Sequence, residues 1–211
     1  MRIEVKNISK SFKDNEVIKD ISISFTENKI YGIFGRNGTG KSVFLKLICG
    51  FYIPDSGEIK IDGINYNLCN DFPKDLRALI EKPSFFPELT GYENLKLLAD
   101  IQRKIDDKQI REALDIVNLT EDMDKKYHKY SLGMKQKLGI AQVIMENPKI
   151  MILDEPFNGI EEETVKKLIM YFKRIKKDKI IIICSHIKED LYDISDKIYK
   201  FSAGQITCEK E

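Results

Sequence analysis

Gly35-Arg36-Asn37-Gly38-Thr39-Gly40-Lys41-Ser42 fits the pattern G-x-x-x-x-G-K-[ST]. An apolar run, Ile30 to Phe34, precedes it, and a segment of helical spacing, Val43 to Cys49, follows. In that order of strand, glycine-rich loop and helix, backbone N–H groups and a helix N-terminus converge on one phosphate cluster. The glycines permit the curl, Lys41 has the reach for β- and γ-phosphates, and the Ser42 hydroxyl is a magnesium ligand. Arg36, Asn37, Thr39 and Val43 complete the cradle. Average residue usage puts a chance match in a chain of 211 residues at on the order of one per cent, and the flanks lower it further. The octet predicts a site for ATP with Mg2+ on an α/β fold.

Downstream, Ile150-Met-Ile-Leu-Asp154-Glu155-Pro156 sets two acids at the end of a second apolar run. In open parallel sheets ligands bind beyond the carboxyl ends of the strands, so these acids reach the same pocket. Asp154 would hold magnesium, directly or through water, because this hard ion takes oxygen ligands and keeps several waters. Glu155 would orient and polarise the attacking water. Taken alone, Asp-Glu-Pro reads equally as the cap of a turn; beside the octet the catalytic reading prevails. His186 follows a third apolar run, Ile180 to Cys184, where a donor could touch the γ-phosphate and the water. A structural histidine is the alternative.

Around these motifs three kinds of segment alternate. Ile3 and Val5, then Ile21, Ile23 and Phe25, then Ile59 and Ile61 alternate with polar residues, the pattern of strands with one buried face. The three continuous apolar runs are those of central parallel strands covered on both faces. Val165, Leu168, Ile169, Phe172 and Ile175 recur at helical spacing, as do Ile110, Ala113, Leu114 and Val117. From about residue 83 to 147 the pattern is almost wholly helical. The expected architecture is one α/β domain over 1–211, of the P-loop NTPase class. It has a central parallel sheet, an N-terminal antiparallel β subdomain, and a helical subdomain inserted at about 83–147.

Lysine plus arginine (35) nearly cancels aspartate plus glutamate (34), which argues against a general nucleic-acid binder. Cys49, Cys69, Cys184 and Cys208 are scattered and only two histidines occur, so a zinc site is not expected and a reducing compartment is. No apolar stretch approaches the roughly 20 residues that span a bilayer, and the N-terminus reads as a strand rather than a signal peptide. Membrane association is expected only through a partner.

Tyr130-Ser131-Leu132-Gly133-Met134-Lys135-Gln136-Lys137-Leu138, with the two motifs above, makes the chain resemble the ATP-binding cassette family over essentially its full length. The family signature is usually Leu-Ser-Gly-Gly-Gln, and two of its five positions agree, at Ser131 and Gly133. The resemblance implies a head-to-tail dimer, homodimer or heterodimer, with ATP sandwiched so that Ser131 and Gly133 face the γ-phosphate of the opposite protomer. It places Phe12 where a ring stacks on adenine, with a strand-end core position as the less favoured alternative. Glu81 stands where the family carries glutamine near magnesium and the γ-phosphate, which makes its carboxylate a third expected magnesium ligand, and Glu161 stands where the family carries aspartate. Ala-Leu-Ile-Glu-Lys-Pro and Leu-Thr-Gly-Tyr-Glu-Asn-Leu look like the exporter branch, and are similar to ATPases of bacitracin-resistance and lantibiotic-immunity transporters. The implied partner is an integral-membrane permease, met at the cytoplasmic face of the membrane. Ser84 to Tyr92, with Phe85, Phe86 and Tyr92, is either its docking edge or core of the helical lobe. Two other functions stay open: a soluble cassette ATPase acting on nucleic acid, ribosomes or iron–sulfur assembly, and a regulatory subunit without turnover.

Overall fold

The computed structural model describes residues 1–13, 15–66 and 71–210; Cys69 lies outside them. The chain runs β1 (Arg2–Phe12), β2 (Asn15–Thr26), β3 (Lys29–Phe34), α1 (Lys41–Ile48), β4 (Ser56–Ile61), β5 (Leu76–Leu79), α2 (Gly91–Gln102), α3 (Asp107–Ile116), α4 (Leu132–Ile144), β6 (Ile150–Asp154), α5 (Glu162–Ile175), β7 (Ile180–Ser185), α6 (Glu189–Tyr192), β8 (Lys197–Ser202) and β9 (Gln205–Lys210).

The alternating segments pair as a three-stranded antiparallel sheet in the order β2-β1-β4. Its register sets Ile3 against Phe25 and Ile61, and Val5 against Ile23 and Ile59. The apolar alternation of all three strands thus falls on one face, as a period of two requires.

The continuous apolar runs are β3, β6 and β7 of a six-stranded sheet ordered β5-β6-β7-β3-β8-β9, parallel except for the edge strand β9. Successive residues of these strands enter two different cores. Ile30, Met151, Leu153, Ile181 and Ile183 pack with Leu138, Ile144, Leu168 and Phe172 of the helices. Tyr31, Ile33, Ile150, Ile152, Ile180 and Ile182 pack with Ile3, Phe25 and Phe44, under the antiparallel sheet and α1. A strand buried on both sides has no use for polar alternation, which is why these runs carry none. Strands β5, β8 and β9 were not expected: β5 is four residues long, and β8 and β9 alternate lysine, serine or threonine with apolar residues.

Among the described residues no strand lies between β5 and β6; α2, α3 and α4 fill that interval with a 3-10 turn at Tyr127–Lys129. Capping boxes begin two of the helices, Thr90 with Glu93 on α2 and Asp106 with Gln109 on α3. The spacing on α3 buries Ile110, Ala113 and Leu114, and α5 buries Leu168 and Phe172. Asn94, 1% exposed, clasps the turn before α2 by bonding Phe86 N and O, Leu89 O and Thr90 O. That clasp splits the Ser84–Tyr92 segment: Phe85 meets the Tyr127 ring at 5.3 Å inside the lobe, whereas Phe86 points outward, 61% exposed. No helix among the described residues is long and apolar enough to cross a membrane.

Candidate functional site

The loop from Gly35 to Gly40 turns the chain from β3 into α1. Gly40 adopts φ +109, a conformation that side chains rarely reach, and a Cβ at Gly35 would lie 2.3 Å from the carbonyl oxygen of Phe201. Both positions therefore require glycine for backbone reasons. Thr39 Oγ1 donates to Arg36 O at 2.8 Å and closes the loop on itself. The buried ammonium of Lys41 curls back to the carbonyls of Gly35 and Arg36, at 2.5 and 3.2 Å. Loop curvature and the lysine are thus set together.

Asp154 ends β6 and accepts from the Ser42 hydroxyl at 2.6 Å. Burial raises the Asp154 carboxyl above its ordinary range; the charges of Glu155 and Glu81 add to this, against the lowering by the Ser42 bond and Lys41. A buried carboxylate crowded by two others is an electrostatic demand for a cation.

Glu155 follows in a left-handed conformation, φ +50, which costs a residue other than glycine about 1–3 kcal/mol. Its N–H is held by Cys184 O at 2.9 Å, and its Oε2 lies 2.8 Å from His186 Nδ1. Ser185 Oγ and Asn158 Nδ2 reach the same oxygen at 3.5 and 3.4 Å. The other carboxylate oxygen, Oε1, is buried without a hydrogen-bond partner.

Asn37, Gly38, Gly40, Lys41, Ser42, Val43, Asp154 and Glu155 line one cavity of about 340 Å³, with Val17 of β2 closing its side. His186 shares an adjoining cavity of about 590 Å³ with Gly35, Arg36 and Thr39. Phe12, Glu81, Ser131 and Gly133 stand outside both walls. Phe12 presents a ring 39% exposed, with Tyr52 at 5.3 Å, and Glu81 pairs with Lys46 at 2.5 Å. A larger concavity of about 810 Å³ between α3, α4 and α5 is remote from these groups.

Ser131 caps α4, its hydroxyl accepting from Met134 N at 3.2 Å, and leaves its face of the helix start exposed. Beneath it α4 grips the loop that follows Glu155 in three places. Gly133 lies against Gly159 O, Gln136 donates to Glu155 O, and Lys137, nearly buried, pairs with Glu161 at 2.6 Å. The longer arm of Glu161 thus still finds a cation, which holds its carboxyl below the ordinary range. Val17, Lys46 and Gln136 carried no signal of their own, since each depends on elements distant in the chain.

Magnesium fits this donor set. Among the described residues no cluster of three acidic, histidine or cysteine side chains could enclose a metal alone. Magnesium on a nucleotide needs none, because phosphates and waters complete its shell. The hard oxygens of Ser42 and Asp154, in a pocket with excess negative charge, are the residues that would hold it.

The ABC transporter family profile matches residues 18–158. The chain belongs to that family. The bacitracin transport ATP-binding protein BcrA of Enterococcus faecalis is 34% identical over 98% of this chain and 68% of its own length. The ABC transporter ATP-binding protein YybJ of Bacillus subtilis is 38% identical, covering 99% and 96%. The lantibiotic transport ATP-binding protein SrtF of Streptococcus pyogenes is 30% identical, covering 99% and 90%. In fold the chain is similar to the ATP-binding cassette MJ0796, solved as a dimer in a post-hydrolysis state with ADP and Pi, with a TM-score of 0.88 at 23% identity over 99% of this chain and 98% of that one. The chain is thus an ABC ATPase of a transporter, which binds and hydrolyses ATP. The soluble alternative on nucleic acid, ribosomes or iron–sulfur clusters finds no support among these relatives.

Proposed function

We propose that this chain drives a peptide-antibiotic exporter from the cytoplasmic face of a membrane, and that two ATPs close it into a head-to-tail dimer. The pairing of His186 with Glu155 carries the ATPase part of this reading, since it holds a carboxylate that lines the same cavity as Lys41 and Ser42.

In this mechanism the loop amides and Lys41 hold the β- and γ-phosphates, and Lys41 offsets charge that builds on the transferred group. Ser42 and Asp154 would hold magnesium, which when bound would offset the charge of the phosphate oxygens. Glu155, held through Oε2 by His186, orients and polarises the attacking water. Phe12 takes the adenine ring. Ser131 and Gly133 of a second protomer close on the γ-phosphate, and its loss after hydrolysis opens the dimer. Residues 83–147 act as the inserted helical lobe. Its face with the exposed Phe86 and Leu97, over a cavity of about 400 Å³ that Ser84, Phe85 and Pro87 help to line, meets the permease. The cargo class rests on the similarity to BcrA, a bacitracin transport protein, and SrtF, a lantibiotic transport protein.

The test is recovery of tagged Glu155→Gln from solubilised native membranes in magnesium ATP, with mass spectrometry of what co-purifies. A stoichiometric polytopic membrane protein is expected. Recovery only from the soluble fraction, with ribosomal or nucleic-acid companions, would overturn the transporter reading.

A further inference from the structure

Strand β1 runs on past the strand beside it. Ser9 pairs with Ser56, the first residue of β4, so Ser11 and Phe12 have β2 on one side and no described strand on the other. Asp55, the residue before β4, fills that place. Its N–H donates to Ser9 O at 2.9 Å. Its carboxylate accepts from Ser11 N–H at 2.7 Å through Oδ2 and from the Lys10 ammonium at 2.6 Å through Oδ1. The Lys10 ammonium in turn stands over the Phe12 ring, 5.7 Å from its centroid, while Tyr52 meets that ring at 5.3 Å with the planes 68° apart. This end of β1 has need of a tie, because its register against β2 shifts between Ile8 and Lys10 and again between Lys10 and Ser11. Where the ladder stops, a side chain takes up the backbone donor.

Resting on the reading of Phe12 as the ring that takes adenine, we propose that Asp55 is a positioning residue for that platform. It acts through two bonds. One oxygen fixes the backbone one residue before Phe12, and the other holds a cation over the ring. A ring set in place before the base arrives loses less freedom on binding, which is how preorganisation raises affinity. The phosphates are gripped by the loop and α1, with which Asp55 forms none of its hydrogen bonds. Its effect is therefore confined to the base. A carboxylate that only locked the end of β1 would alter stability and leave the nucleotide alone.

The experiment is isothermal titration calorimetry of the full chain with a non-hydrolysable ATP analogue and with inorganic triphosphate, each with Mg2+. Asp55→Ala is expected to weaken the analogue about three- to tenfold, the scale of one or two hydrogen bonds to a carboxylate, and to leave triphosphate within twofold of the parent. Asp55→Asn keeps an acceptor for Ser11 and loses the ion pair, so about a two- to threefold loss is expected; it carries the comparison if Asp55→Ala does not fold. On a Phe12→Ala background either change should cost the analogue nothing further, because the platform it positions is gone. Unchanged affinity for the analogue, an equal loss for triphosphate, or the full loss repeated without the Phe12 ring would overturn the proposal. Phe12→Ala by itself keeps the two ideas apart. If it leaves the analogue bound as tightly as the parent does, the adenine platform falls and this inference with it; if it weakens the analogue while the Asp55 variants do not, only the inference falls.

Discussion

Gln136, on α4, donates its side-chain amide to the carbonyl oxygen of Glu155 at 3.0 Å and to that of Pro156 at 3.3 Å. With Cys184 O on the N–H side, Glu155 is pinned at both of its peptide groups in a conformation it would not choose. The amide is therefore part of what aims the carboxylate. Gln136→Leu keeps the volume and removes the donor. The expected result is a kcat for ATP hydrolysis roughly tenfold lower, the scale of one or two hydrogen bonds, with KM within about twofold. Steady-state kinetics decides it, and a rise in KM alone would count against the idea.

His186 and Glu155 share one hydrogen bond, so their contributions are coupled. His186→Ala should lower kcat by about 10²–10³. Adding it to Glu155→Gln should cost almost nothing more, because the water is already lost. A double-mutant cycle in single-turnover hydrolysis measures this; simple addition of the two losses would show that they act separately.

Adenine stacking rests on one exposed ring. Phe12→Ala should weaken ATP binding by about 1–3 kcal/mol, the worth of a base on an aromatic face, while leaving inorganic triphosphate binding unchanged. Equal weakening of both ligands would make Phe12 a support for Tyr52 rather than a platform.

Legibility followed from how local each feature is. Lys41, Ser42, Asp154 and Glu155 could be read because the phosphate loop and the strand-end acids each form one unbroken segment, and the parallel sheet then sets both at the same edge. Strands β3, β6 and β7 announced themselves by lacking alternation. Strand β5 was too short to show a period, and β9 is an antiparallel edge with most of its side chains in solvent. Lys46 and Gln136 were illegible for a different reason. Each gains its meaning from a partner 35 or 19 residues away, across elements whose apposition no spacing encodes. Ser131 and Gly133 present the same difficulty one level up, since the group they are proposed to meet belongs to another protomer.

Asp154 is held against its own preference, and that has a pH signature. Its folded pKa lies above the unfolded value, mainly because of burial. The charged form is therefore destabilising in full above the folded pKa. The penalty shrinks as pH falls through that value and is gone below the unfolded pKa of about 3.9. Asp154→Asn should consequently melt higher than the parent at pH 7 without nucleotide, with the difference narrowing in acid. The same variant should lose the magnesium dependence of ATP binding. Thermal melts at a series of pH values test the first part; a variant that melts lower at pH 7 would show that the Ser42 hydrogen bond outweighs the burial.

The contact of Gly133 with the loop after Glu155 is tight enough to be tested by a single methyl group. A Cβ there would lie 2.3 Å from Gly159 O, a backbone atom that cannot swing aside. Gly133→Ala must push α4 and that loop apart, at about 1–3 kcal/mol for an overpacked contact. It should lower the urea midpoint without changing the slope. Ser131→Ala removes only a cap, about 1 kcal/mol, and introduces no collision. The two variants therefore separate two roles of the helix start. If α4 serves only as an anion-facing terminus, both should lose nucleotide-dependent dimerisation of Glu155→Gln while hydrolysis-site geometry stays intact. If the grip on the loop also matters, Gly133→Ala alone should additionally disturb the Glu155–His186 pair, visible as a changed pH profile of turnover in the single variant. Size-exclusion chromatography with ATP reads the first effect and kinetics the second, and identical behaviour of the two variants in both assays would confine α4 to the first role.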